Sequence, residues 1–250
     1  MGIDCKLLSL SPNDYFNEIK ANINFEQMIH KGGVVSRLIT IQSIYHNINN
    51  IIFKPLYRHP NDIEPNNKLM CKIICEIKDE VEKIVGINGL NHVLIQLYQD
   101  GKDNISQHAD KTLDMDLDTP IINVRFGVTR QMILQNKSNK NVVKKIPMSD
   151  STILVFDFKT NKKYYHEIKK EHNINKPRIS LTFRKINTFE SIDGSNIIIG
   201  QGSPYKSFDD YVLDQMNYMM LFIMKSIMKT LIGLNIMEMD FIVNNNFYMC

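Results

Sequence analysis

Two side chains of metal-binding type stand two residues apart near the middle of the chain. His108 and Asp110 form a His-x-Asp pair, and residues i and i+2 of an extended segment point to the same side. A histidine on a later strand would complete two histidines and one carboxylate, the ligand set that holds non-haem iron(II) with open coordination positions. His166 is the candidate. Because a lone strand histidine is commonly only packed or hydrogen-bonded, these residues by themselves leave both interpretations open.

Two arginines follow downstream in the segment RISLTFR. Arg178 and Arg184 are six residues apart, so on one strand they share a face with Ser180 and Thr182. If that face is buried, the arginines need anions, and a dicarboxylate would supply them because the guanidinium fork binds carboxylate through two hydrogen bonds. The alternative is an amphipathic edge strand whose arginines lie in solvent.

The secondary structure predicted around these residues consists mostly of short β-strands. Six strands are predicted by apolar, β-branched runs between turn residues such as Asp100-Gly101. Because no helices separate them, the pattern favours an antiparallel barrel or sandwich with flanking helices, which is a mainly β (α+β) fold. The predicted strands are 93–98, 121–128, 131–135, 152–156, 164–168 and 179–184.

Helices are predicted mainly on either side of this β-rich part. One covers residues 14–29 with Ser11 as its N-cap, one covers residues 69–84 and ends at Gly86, and one covers residues 208–234. The predicted organisation has three parts: a helical and loop region (1–90) that buttresses the core and could form a substrate lid, a core (91–189), and a C-terminal helical extension (190–250) that could bind a protein partner.

Composition excludes some classes of protein. The chain has 250 residues, of which 43% are hydrophobic, and a net charge of +3, so disorder is not its main feature. Thirteen Lys or Arg against four Asp or Glu lie between Lys137 and Lys185, which indicates either a solvated face or a nucleic-acid contact surface. Four scattered cysteines and no signal-peptide pattern predict an intracellular protein, cytoplasmic or nuclear, and Lys225 and Lys229 interrupt the Met-rich C-terminal stretch, so no membrane span is expected.

A family resemblance covers about two fifths of the chain. The segments LIQLYQDGKDNISQHADKTLD, INVRFG, YYHEI and PRISLTFRKI resemble the AlkB-like Fe(II)/2-oxoglutarate dioxygenases in their order and spacing. A looser match, through PLYRHPNDIEP upstream and IGQGSPYKS downstream, resembles most a subgroup associated with fungi. The resemblance implies a double-stranded β-helix (jelly-roll) core, with His108, Asp110 and His166 as ligands of Fe(II) and with 2-oxoglutarate and O2 as co-substrates. No catalytic side chain beyond the iron ligands is expected.

The same resemblance assigns residues to the co-substrate. Arg178, helped by the Tyr98 hydroxyl, would hold the far carboxylate of 2-oxoglutarate, and Arg184 would lie nearer its iron-binding end. Gln96 stands where the family usually has asparagine, so this amide contact would come from a longer side chain. Thr112 stands where the best-studied DNA-repair members place a carboxylate against the damaged base, so Thr112 is a candidate substrate contact that lacks that device.

The activity implied by the resemblance is oxidative demethylation of alkylated nucleobases in DNA or RNA, as in DNA repair. Hydroxylation of an N-methyl group gives a product that collapses to formaldehyde and the bare base. The basic residues between Lys137 and Lys145, with Lys162 and Lys163, would then contact nucleic acid. Two alternatives stay open: the same oxygenase acting on a protein or small molecule, and a non-catalytic protein that binds nucleic acid or a partner.

Overall fold

A computed structural model of the chain describes residues 5–10, 14–30, 33–58 and 65–232. Sixteen strands and four helices lie in this part of the chain. The helices are α1 (Tyr15–Asn22), α2 (Lys72–Val85), α3 (Phe158–Lys163) and α4 (Phe208–Ile232). The strands are β1 (Cys5–Ser9), β2 (Glu26–His30), β3 (Gly33–Ser43), β4 (His46–Ile48), β5 (Ile51–Pro55), β6 (Asn67–Leu69), β7 (His92–Tyr98), β8 (Ile105–His108), β9 (Ile121–Gly127), β10 (Arg130–Asn136), β11 (Val143–Met148), β12 (Thr152–Phe156), β13 (Tyr164–Ile168), β14 (Arg178–Arg184), β15 (Phe189–Ser191) and β16 (Ile198–Ile199).

An eight-stranded sheet forms the base of the fold. Its order is β1-β12-β9-β14-β7-β3-β2, with β6 added in parallel to β3. One face packs against α1 and α2, whose buried residues include Ile19, Ile74, Ile77 and Val81. The spacing of the last three at i, i+3 and i+7 is the stripe by which a helix covers a sheet. As predicted, α2 ends at Gly86, which adopts the left-handed conformation with φ 76°.

A four-stranded sheet, ordered β11-β10-β13-β8, covers the other face. Apolar residues of both sheets meet between them, with Leu154 and Phe156 from the large sheet and Met132 and Leu134 from the small one. All the pairings within the small sheet are antiparallel, as are those along the main path of the large one. The predicted mainly β fold with flanking helices is confirmed, and its core is the expected jelly roll.

A third sheet, β16-β15-β5-β4, carries the start of α4. Phe53, Ile199 and Tyr211 form its small core. Beyond Tyr211, much of α4 is exposed, including Met219 (62%) and Phe222 (67%). Among the described residues, none of the helices has both the length and the apolar character needed to cross a membrane.

The N-terminal region contains more strands than the sequence predicted. Only residues 15–22 of the predicted helix 14–29 are helical, and Glu26–His30 pairs with β3 as a strand. The N-cap is Asp14, whose carboxylate accepts a hydrogen bond from the Asn17 backbone at 3.4 Å, while Ser11 lies outside the described residues. Four strands of this region, β1, β2, β3 and β6, belong to the large sheet, so the region forms part of the core sheet as well as covering it.

Three elements between residues 100 and 165 were not predicted from the sequence. They are β8, β11 and the short helix α3. The basic segment 137–145 lies at the turn between β10 and β11, and its last three residues belong to β11, which begins at Val143. The alternative of a solvent-facing edge strand for RISLTFR does not hold, because β14 lies between β9 and β7 and all seven of its residues are buried.

Candidate functional site

The side chains of His108, Asp110 and His166 converge between the two sheets. β8 and β13 are neighbours in the small sheet, and their register places His108 directly opposite His166. The two imidazole ring centres are 4.2 Å apart. Asp110 follows β8 by two residues, and its Oδ1 lies 3.7 Å from His108 Nε2 and 3.5 Å from His166 Nε2. One nitrogen or oxygen from each residue lies within 4.8 Å of the others, a separation that suits binding to one metal ion.

Both histidines are in the chemical state that a metal requires. His108 Nδ1 lies 2.8 Å from the Ser106 carbonyl, so Nδ1 carries the proton and donates, while the lone pair stays on Nε2. Burial lowers the pKa of His108, and burial together with the neighbouring His108 lowers the pKa of His166 to about 3. Both rings are therefore neutral at neutral pH, and a neutral imidazole is a metal ligand.

Two other residues hold Asp110 in place, Arg184 through the carboxylate and Asn161 through the backbone. Arg184 donates to Asp110 Oδ2 from Nη2 at 2.6 Å and from Nε at 3.0 Å, which leaves Oδ1 facing the histidines. From α3, Asn161 donates to the Asp110 carbonyl and accepts from the Asp110 backbone N–H, both at 3.0 Å. Burial alone would raise the pKa of Asp110, but the charge and hydrogen bonds of Arg184 outweigh it and hold that pKa well below its usual range. The carboxylate is therefore charged and oriented before any ligand binds.

A cavity extends from these three residues along the inner face of β7, β9 and β14. At its far end Arg178 is 1% exposed, its guanidinium carbon lies 5.1 Å from the centre of the Tyr98 ring, and the Tyr98 hydroxyl donates to Gln96 Oε1 at 3.4 Å. Within the described part of the chain, Arg178 Nε and Nη1 and Gln96 Nε2 are buried without a hydrogen-bond partner. Buried donors are almost always paired, so this end of the cavity is built for a ligand rich in oxygen acceptors.

Thr112 lies on the loop after Asp110. It is half-buried, and its carbonyl accepts from the Met115 backbone N–H at 3.3 Å. Asp114, two residues further on, is buried and pairs with Arg58. Thr112 does not line the cavity, and its contact with a substrate stays a prediction.

Sequence reasoning missed two residues of the site, Asn123 and Asn161. Asn123 donates to Thr182 Oγ1 at 2.9 Å and lines the cavity. The even spacing that singled out RISLTFR also applies to Asn123 and Arg125 in INVRFG, so that signal was present in the sequence. Asn161 gave no such signal, because its partner Asp110 is 51 residues away along the chain.

The sequence model of the 2OG-Fe(II) oxygenase superfamily matches residues 11–184, about 70% of the chain. The chain belongs to this superfamily. Membership of this superfamily implies that the protein uses Fe(II), 2-oxoglutarate and O2. The residues of the site fit the first two, because two imidazole nitrogens and a carboxylate oxygen face one point and unpaired donors line the cavity beside it.

The curated relatives that the chain matches are AlkB homologues, and in this sense the oxygenase is AlkB-like. The human "DNA oxidative demethylase ALKBH2" is 31% identical over 121 residues, which is 46% of each chain. The bovine "Alpha-ketoglutarate-dependent dioxygenase alkB homolog 3" is 28% identical over 122 residues, 46% of this chain and 42% of the relative. The chain thus spans about half the length of the curated relatives it matches. The expected fungal-type subgroup stays a prediction.

A solved structure supports the fold. OsALKBH1 superposes with a TM-score of 0.52 at 14% identity, covering 74% of this chain and 98% of the other. At that identity the likeness concerns the fold alone. It agrees with the two packed sheets and the jelly-roll core.

Proposed function

We propose that the protein is an Fe(II)- and 2-oxoglutarate-dependent dioxygenase that demethylates alkylated nucleobases in DNA or RNA. The observation that carries this proposal is the convergence of His108, Asp110 and His166 at the end of a cavity whose other end holds unpaired guanidinium donors. A metal site and an anion site on one cavity wall are what an oxygenase with a dicarboxylate co-substrate needs. The compartment, cytoplasmic or nuclear, stays a prediction.

In this proposal the two Nε2 atoms and Asp110 Oδ1 would hold the iron. When bound together, iron and 2-oxoglutarate supply the O2 activation that hydroxylates a substrate C–H bond. Arg184 keeps Asp110 Oδ1 turned towards the histidines, since it occupies Oδ2. Arg178, Tyr98 and Gln96 would bind the far carboxylate and so set the position of the other end of the co-substrate.

The apolar lining keeps water from the reacting atoms. Exclusion of water strengthens the electrostatic contacts in the cavity and prevents side reactions. The apolar side chains that line it, from both sheets, are Leu94, Ile105, Ile121, Met132, Leu154, Phe156 and Ile168.

Two observations favour a nucleic-acid substrate. The matching relatives include proteins named as a DNA oxidative demethylase. The small sheet, which carries both histidines, also carries a cluster of lysines at its β10–β11 hairpin and at the adjoining end of α3: Lys137, Lys140, Lys144, Lys145, Lys162 and Lys163. Lys137 lies 4.9 Å from the ring centre of Tyr165, the neighbour of His166. Cations beside an exposed aromatic ring suit a phosphate backbone with an unstacked base.

The test is formaldehyde release from oligonucleotides that carry methylated adenine or cytosine, measured together with succinate. The wild type is expected to release both products in equal amounts. His108→Ala should release neither, whereas His172→Ala, at an exposed histidine outside the cavity, should match the wild type. Succinate formed without formaldehyde from any methylated base would reject the nucleobase and favour a protein or small-molecule substrate. Loss of both products in the wild type, with nucleic-acid binding retained, would favour the non-catalytic alternative.

A protein partner at the C-terminal helix and the division into parts 1–90, 91–189 and 190–250 remain proposals. Support for the partner comes from the exposed apolar side chains of α4, among them Met216, Tyr218 and Phe222. Phe222→Lys should abolish partner binding without changing 2-oxoglutarate turnover, since Phe222 lies outside the cavity lining.

A further inference from the structure

A third buried arginine, Arg125, lies beside the cavity and has no role in the site as described so far. It is on β9, is 1% exposed, and is two residues from Asn123, which lines the cavity. The register of the large sheet pairs Ser180 with Gln96 on one side and with Arg125 on the other. Arg125 therefore belongs to the same row across the sheet as two residues of the cavity wall.

The guanidinium of Arg125 is only partly satisfied. Nη2 donates to the Asn123 carbonyl at 3.0 Å and to Asn123 Oδ1 at 2.5 Å, and Nη1 contacts the sulfur of Met148. Nε is buried with no hydrogen-bond partner among the described residues. All of these contacts are to neutral atoms.

Other buried arginines of the fold differ from Arg125 in this respect. Arg184 pairs with Asp110, and Arg130 pairs with Glu171 at 3.0 Å. In the part of the chain that the structure describes, no carboxylate lies within ion-pairing distance of either Arg125 or Arg178. Burial lowers the pKa of Arg125 well below its usual range, and the nearby Arg178 lowers it further.

Two buried guanidiniums without a counter-charge destabilise the ligand-free protein, because a buried charge needs a partner. An anion between them would satisfy Arg178 Nε and Nη1 and the remaining donor of Arg125 together. On the β7 side of the same two rows, Tyr98 lies opposite Arg178 and Gln96 lies opposite Ser180.

We propose that Arg125 is a second arginine for the far carboxylate of 2-oxoglutarate, which it contacts from the β9 side while Arg178 contacts it from β14. This inference rests on the proposed function and deepens it. It makes the far end of the cavity selective for a 2-oxo acid with a second carboxylate, because an uncharged end would leave both guanidiniums buried and unpaired.

The test compares two ligands of equal length. Wild type and Arg125→Gln are titrated anaerobically, in the presence of Mn(II), with 2-oxoglutarate and with 2-oxopentanoate, which ends in a methyl group. The dissociation constant for 2-oxoglutarate should rise at least about 30-fold in Arg125→Gln, the lower end of the effect of truncating a buried charge pair. The constant for 2-oxopentanoate should not rise. Arg125→Lys should regain part of the lost 2-oxoglutarate affinity, and Arg58→Gln, which removes an arginine paired with Asp114 outside the cavity lining, should match the wild type with both ligands.

If Arg125 only holds Asn123 in place, Arg125→Gln should lose affinity for both ligands equally. That result would overturn the proposal, and so would an unchanged affinity for 2-oxoglutarate. If Arg125→Gln fails to fold, Arg125→Lys and Arg125→Met provide the same comparison, and a ligand-free melting temperature of Arg125→Met at or above that of the wild type is expected. A Met variant that melts lower and yet binds 2-oxoglutarate like the wild type would overturn the proposal. Failure of wild type to bind 2-oxoglutarate at all would instead reject the proposed function.

Discussion

Replacing Arg184 with methionine would remove the side chain that holds one oxygen of Asp110. The two side chains are 4% and 6% exposed, and their shortest contact is 2.6 Å. Breaking a buried pair by removing one partner costs about 3–5 kcal/mol, because the other charge stays buried without compensation. We therefore expect the metal-free Arg184→Met variant to lose about that much stability, and the pKa of Asp110 to rise.

The loss of metal affinity in Arg184→Met should be a separate effect, and smaller than the loss of stability. Residues that hold a ligand from behind typically contribute about 10- to 100-fold to metal affinity, or about 1.4–2.7 kcal/mol. Without Arg184 the carboxylate is free to turn Oδ2 towards the histidines, so part of the binding energy goes into ordering it. Anaerobic calorimetric titration with Mn(II), a redox-stable substitute for Fe(II), measures the loss of metal affinity. Urea unfolding of the metal-free protein measures the loss of stability.

Arg130→Met is the matched control. Arg130 has no exposed side-chain surface and pairs with Glu171, away from the metal ligands. It should lose stability as Arg184→Met does but keep its Mn(II) affinity within about twofold, because distant sites act independently. Equal Mn(II) affinity in Arg184→Met and wild type would refute the reasoning, and an equal loss in both variants would show that the effect is general destabilisation.

Three further predictions follow from the cavity and the charges around it. Arg178→Met should weaken the binding of 2-oxoglutarate by at least about 30-fold and change the binding of Mn(II) little, as measured by titration with each ligand. Equal losses of affinity for both ligands would contradict the role of Arg178. Because the pKa of His166 is about 3 in the fold and has an ordinary value of 6.5, the unfolded chain takes up its proton first, and the metal-free protein should lose stability as the pH falls below 6.5. The contribution of His166 to this loss should reach about 1.4 kcal/mol near pH 5.5, and His166→Asn should lose that much less stability than the wild type over this range, as followed by urea unfolding. Replacing Lys144 and Lys145 together with glutamate should lower single-stranded DNA affinity and reduce the slope of log K against log salt by about 0.7 per lost phosphate contact; an unchanged slope would remove these lysines from the interface.

Much of the secondary structure could be predicted because its signals are local. The apolar stripe of α2, its end at Gly86 and the alternation within β14 depend on residues a few positions apart. The strand β2 could not be predicted in this way, because residues 26–30 continue a helical pattern and become a strand only by pairing with β3. β8 was missed for a related reason: its four residues are defined by pairing with β13, almost sixty residues later.

The candidate site divides along the same line. Residue type and spacing selected His108, Asp110, Arg178 and Arg184, because a His-x-Asp pair and an even spacing on a strand are properties of short segments. Which face of β14 is buried could not be read from the segment. The decision came from the small sheet, which closes over the arginines and makes both faces of the strand interior.

Chemical type and local spacing are enough to identify the side chains that could bind iron and a dicarboxylate. The folded chain was needed to show that His166 lies opposite His108 and that Arg184 contacts one oxygen of Asp110. It also showed that Arg125 lies beside the cavity without a carboxylate. The reason is physical: distance, burial and the pairing of charges depend on which strands become neighbours, and that choice is made by the packing of two whole sheets.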